Sequence, residues 1–67
     1  MEILHTAKGR ASIRLTEQEA VILLNVINEA REAVEDWEFQ TRIGAEPAEV
    51  DVLRKELKTL LSAVRGQ

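Results

Sequence analysis

The sequence predicts an α+β fold, mostly helical, in which an N-terminal β-hairpin is followed by three helices in the order ββααα. Three observations predict it. Two short strand-like segments flank a glycine near the N-terminus, a capping box opens a long segment with an apolar stripe, and a second glycine and the one proline divide the C-terminal half into a short and a long helix. The expected boundaries are a hairpin at about 2–15, a first helix at about 17–35, a short second helix at about 36–42 and a third at about 47–64, all within one domain spanning 1–67.

The hairpin is read from Glu2-Ile3-Leu4-His5-Thr6 and Ala11-Ser12-Ile13-Arg14-Leu15, with Gly9 supplying the turn. A two-residue loop Gly9-Arg10 would set Leu4 opposite Leu15 and Thr6 opposite Ile13, so that one face of both strands is apolar. A two-stranded sheet is marginal by itself, so that face is expected to lie across the first and third helices or to extend a sheet with another chain.

Thr16-Glu17-Gln18-Glu19 has the spacing of a capping box, and its two acids suit the positive end of the helix dipole. From there Ala20, Leu23, Leu24, Ile27, Ala30 and Val34 recur at steps of three and four, one stripe of an amphipathic helix. Val21, Ile22 and Val26 fall partly outside that stripe, so the first half of the helix needs cover on more than one side; a homodimer contact through this helix is the expected explanation. Gly44 stands just after the short helix at about 36–42 as a left-handed C-cap would, and Pro47 opens a run of Val50, Leu53, Leu57, Leu60, Leu61 and Val64 at helical spacing. The expected core, whether closed within one chain or across two, is Leu4, Ile13, Leu15, Leu23, Leu24, Ile27, Val34, Phe39, Ile43, Val50, Leu53, Leu57 and Leu60.

Composition narrows the function. The chain has 67 residues, a net charge of −3 and no cysteine, which excludes a disulfide framework, a thiolate metal site and a thiol nucleophile. Its longest unbroken apolar run, Ala20 to Leu24, is far below the roughly 20 residues of a membrane span, and no secretory pattern opens the chain, so a cytoplasmic location without membrane contact is expected. The lone histidine, His5, sits in a strand with only Glu2 near it, and Ser12, Ser62 and the threonines have no base at an interpretable spacing. The acids Glu29, Glu32, Glu35 and Asp36 lack the glycine turn and dense oxygen donors of a calcium loop and read as a solvated face. The expectation is therefore a non-enzymatic module without cofactor or metal.

Two constellations remain. Phe39, Ile43, Gly44, Val50 and Leu53 are spaced like the skeleton of a helix-turn-helix, so segment 37–58 offers an alternative reading as a DNA-binding, transcription-related protein. Its outward positions, Glu46, Glu49 and Asp51, would however present carboxylates where DNA readers place Arg, Lys, Asn or Gln, and nucleic acid is not the expected partner. Asn25, Asn28, Glu29 and Arg42 form a candidate polar clamp or patch, with Arg42 folding back onto Glu29, and Trp37 and Phe39 are candidate anchors for another protein, because aromatics and arginine concentrate binding energy at interfaces. The expected function is thus a homodimeric protein-interaction module with Val21, Ile22, Val26, Trp37 and Phe39 as its contact residues.

Leu24-Asn25-x-x-Asn28-Glu29, Glu38-Phe39-x-Thr41-Arg42-Ile43-Gly44 and Glu49-Val50-x-x-Leu53 together resemble a group of very short uncharacterised bacterial proteins with an LNxxNE…EFxTRxG…EVxxL pattern. The resemblance covers about Thr16 to Leu60 and leaves out the hairpin. It implies a bacterial, cytosolic setting and a structural unit of Asn28, Glu29, Arg42 and Gly44, and it carries no activity.

Overall fold

The computed structural model describes residues 1–66 and has the ββααα order: β1 (Glu2–Ala7), β2 (Arg10–Arg14), α1 (Glu17–Ala33), α2 (Asp36–Ile43) and α3 (Pro47–Arg65). The start of α1 follows from the capping box, in which the Glu19 N–H donates to Thr16 Oγ1 at 3.1 Å and the Thr16 N–H donates to Glu19 Oε1 at 3.0 Å. Pro47 stands at the start of α3, where its missing N–H costs nothing, and the Glu46 N–H donates to the Glu49 carboxylate at 2.9 Å.

Between α2 and α3 the chain turns at Gly44, whose φ of +90° lies in the left-handed region, and its N–H donates to the Gln40 carbonyl at 2.8 Å. A Cβ added there meets nothing within 4 Å, so the penalty for a side chain is one of backbone conformation alone. We expect Gly44→Ala to lower stability by about 1 kcal/mol and Gly44→Asn by less, as read from urea denaturation midpoints.

Helices α1 and α3 run antiparallel. Arg65, at the end of α3, reaches Glu17 at the start of α1 (Nε to Oε2, 3.4 Å), and Arg31, near the end of α1, reaches Asp51 just past the first turn of α3 (Nε to Oδ1, 2.9 Å). The buried apolar side chains among the described residues are Ala20, Phe39, Val50 and Leu61, with Leu24, Ile27, Val34 and Leu57 half-buried beside them. This core is smaller than the sequence predicts. Leu4, Ile13, Leu23, Ile43, Leu53 and Leu60, expected inside, are all exposed, whereas Ala20 and Leu61 take the central places between α1 and α3.

The largest departure is the hairpin, which does not lie across the helices. Every residue of β1 and β2 is exposed, and neither strand packs on a helix. Its turn is Lys8-Gly9 rather than Gly9-Arg10: Ala7 pairs with Arg10, Thr6 with Ala11, His5 with Ser12, Ile3 with Ile13 and Glu2 with Arg14, and a bulge leaves Leu4 unpaired. The reason lies in Gly9, whose φ of +85° at the second turn position, after a residue of negative φ, matches the signs of a type II turn and shifts the pairing from that expected. Alternation along β2 then puts Ile3, Thr6, Ala11 and Ile13 on one face and Glu2, His5, Arg10, Ser12 and Arg14 on the other, where Arg14 Nη1 donates to Glu2 Oε1 at 2.8 Å.

A two-helix layer with an arm standing off it is thin and broad. The principal extents are 38, 32 and 15 Å, and the second is much wider than two helices packed 8–10 Å apart. The radius of gyration of 13.5 Å exceeds the roughly 11 Å of a compact chain this long.

Candidate interaction surface

Helical phase divides the α1–α3 pair into two unlike flanks. On one, ion pairs lace the seam: Glu17 with Arg65 at its first end, Asp51 with Arg54 (3.4 Å) and Arg31 at the other. On the opposite flank of both helices stand Leu23 and Val26 of α1 and Leu53, Leu60 and Val64 of α3, all exposed, with Ala30 half-buried beside them. Val26 is 59% exposed, Ile22 and Leu53 more than half or nearly so, and Leu60 and Val64 about two-fifths. Leu53, Leu57, Leu60 and Val64 follow the alternating four-three-four spacing of a packing seam, whereas Ile22, Val26, Ala30 and Ala33 step by four, four and three.

The hairpin root continues this flank. Met1 and Leu15 join Glu19, Ile22 and Leu23 around an open apolar hollow of about 220 Å³ in the corner between the arm and α1. Glu19 fixes that corner, since it caps α1 through Oε1 and takes the N-terminal ammonium on Oε2. The uncovered apolar residues thus form one stretch from Met1 along α1 and across to α3.

The predicted contact residues separate. Ile22 and Val26 belong to the open flank, whereas Val21 is half-buried on a different side of α1. Trp37 is 83% exposed on the outer side of α2. Phe39, two residues on, faces the opposite way and is 0% exposed, so it anchors α2 to the core and is no surface contact.

The expected clamp does not assemble as drawn. Arg42 pairs with Glu38 one turn back in its own helix (3.1 Å), because the i,i+4 spacing brings the two together without any fold-back. Asn25 and Glu29 are exposed one turn apart on the outer side of α1, Asn28 is half-buried, and among the described residues no side-chain hydrogen bond joins any of the three to Arg42.

The polar unit that does fix the helices was missed. Arg31 lies with its guanidinium 5.3 Å from the Phe39 ring centroid, donates from Nε and Nη2 to the two Asp51 oxygens at 2.9 and 3.5 Å, and from Nη1 to Asp36 at 3.0 Å. One side chain so joins α1, α2 and α3. Hydrogen bonds to Asp36 and then Asp51 hold the Arg31 guanidinium above its ordinary value, so the stabilisation from its charge is fully present throughout the neutral and acidic range on the arginine's side and is lost only in strong alkali. The signal was in the sequence: Arg31 stands four residues after Ile27 and three before Val34, inside the apolar stripe, where a cation requires both carboxylate partners and an apolar floor.

Among the described residues no group of three or more His, Asp or Glu side chains is arranged to hold a metal ion, and no helix is long and apolar enough to cross a membrane. In comparisons with known proteins, no family model, no curated protein and no solved structure matches this chain.

Proposed function

We propose that the protein is a small self-associating interaction module, non-enzymatic and homodimeric, whose contact surface is the open flank of α1 and α3. The observation that carries this reading is the amount of surface left uncovered. The accessible surface is 5434 Å², against about 4300 Å² for a compact 7.6 kDa monomer. The excess, about 1100 Å², is larger than the roughly 800 Å² per partner of a standard interface and falls in the range of homodimers. Two such flanks stacked on each other make a four-helix arrangement of two α1 and two α3 helices, the usual way of closing an apolar face on paired helices. A cysteine-free chain suits a reducing compartment such as the cytoplasm.

The DNA-binding reading of segment 37–58 finds less support. The α2–Gly44–α3 turn is formed, but Glu49 caps its own helix and Asp51 holds Arg31, so the front of α3 offers acids already engaged with the protein.

The test is molar mass in solution by light scattering across a concentration series. The expected result is twice the 7.6 kDa chain mass at micromolar concentration, falling towards the chain mass on dilution. A constant 7.6 kDa at every concentration overturns the homodimer.

A further inference from the structure

Charge is distributed along this molecule in two blocks. Between Glu29 and Asp51 the chain carries eight carboxylates and two arginines, a formal −6, and the rest of it carries +3. The fold carries these blocks to opposite ends. The C-terminal turn of α1, α2 and the start of α3 make the acidic end, where Glu32, Glu35, Asp36 and Glu38 flank the exposed Trp37 in the sequence and Asp36 and Glu38 pair with Arg31 and Arg42. Lys8, Arg10 and Arg14 lie on the hairpin, which leaves from the other end of α1 and touches neither helix layer.

The apolar stripe of α1 adds a second constraint. Ile22, Val26 and Ala30 are evenly spaced with Val26 at the middle, so a two-fold axis at Val26 relating antiparallel α1 helices sets Val26 against its own copy, Ile22 against the partner's Ala30, and Glu19 against the partner's Ala33. Large side chains then meet small ones, as close packing requires. A parallel pairing would set Ile22 on Ile22 and Ala30 on Ala30, bulk against bulk and gap against gap, and would stack the two −6 ends.

On these grounds we infer that the protein dimerises with its α1 helices antiparallel about Val26, each copy's hairpin lying over the acidic α2 end of the other and covering Trp37. This rests on the self-association proposed above and gives it a direction. Antiparallel α1 helices set the N-terminal end of one, where the arm leaves, beside the C-terminal end of the other, where the acidic segment begins, and there Glu32 and Glu35 make no ion pair among the described residues. With Ile3 and Ile13, both exposed in the single chain, turned onto Trp37, the arginines on the arm's other face act on the acidic end by longer-range attraction. Opposite charge at both ends steers the two chains into this orientation and against the parallel one.

The chain has one tryptophan and no cysteine, so both can serve as reporters in the intact protein. Single variants Arg10→Cys and Glu35→Cys, mixed and treated with a short bis-maleimide, are expected to cross-link to each other and not to themselves. Trp37 emission is expected to move to shorter wavelength over the same concentration range in which the mass doubles. Reversing the arm with Lys8→Glu and Arg10→Glu is expected to weaken the dimer roughly ten-fold at low ionic strength, with the difference shrinking in high salt. A mass that doubles while Trp37 emission stays fixed, or Arg10→Cys cross-linking to itself, overturns the antiparallel arrangement and leaves self-association standing. A mass that never doubles removes both.

Discussion

Phe39→Ala is expected to leave most of the chain unfolded at room temperature. The Phe39 ring is 0% exposed and is the largest fully buried side chain, so truncation opens a cavity among α2, α3 and the Arg31 guanidinium above it. Such a change costs about 3–5 kcal/mol in other cores, and a chain of 67 residues has in total roughly 3–10 kcal/mol. The helical circular-dichroism signal should fall to that of a largely disordered chain, and a urea transition, if one is left, should begin without a native plateau. Phe39→Leu separates volume from ring chemistry. It fills most of the space but offers no π-face to Arg31, so it should fold with a lowered midpoint. Equal loss in both variants would mean that the ring's contact with Arg31, rather than the filled volume, holds α2 in place.

The second large effect falls on assembly and leaves the fold intact. In the proposed dimer, Val26→Glu would put a carboxylate on the two-fold axis, facing its own copy in an apolar seam, and Leu60→Glu would put one into the α3 side of the same flank. Burying an unpaired charge or a pair of like charges costs several kcal/mol, so either variant should raise the dimer dissociation constant by roughly 100-fold or more. Both positions are exposed within the single chain, so the helix content of the monomer should be retained. Monomeric variants with native circular dichroism are the expected outcome; a wild-type dimer that tolerates both substitutions would move the interface away from this flank.

Much of the architecture was legible because its signals are local. Thr16 and Glu19 cap α1, Gly44 turns the chain and Pro47 opens α3, each within three or four residues of the groups it satisfies. The hairpin was legible as a hairpin for the same reason. Where it rests was not, because alternation in β1 and β2 shows that one face is apolar without saying what covers it, and the answer here is not its own helices. The same limit explains Leu53 and Leu60, which repeat with helical spacing as core residues do although their side of α3 is open. Phe39 carries two expectations, core residue and surface anchor, and the structure bears out the first: one hundred degrees of rotation per residue places it on the side of α2 opposite Trp37, in the core. Arg31 was overlooked because its partners, Asp36 and Asp51, are five and twenty residues away, and only the antiparallel packing of α3 on α1 brings the second within reach.

The thinness of the molecule has a further consequence for how it lives in a cell. With four buried apolar side chains among the described residues and one principal extent of 15 Å, a single copy holds little free energy of its own. When the remaining apolar flank is closed by another copy, folding becomes second order in the chain, and the folded fraction rises more steeply than the amount synthesised. A chain made sparsely would spend longer open to proteases than one made abundantly, so abundance and lifetime would reinforce each other. Its thermal midpoint should accordingly climb with protein concentration, a property that a monomer with a closed core does not have.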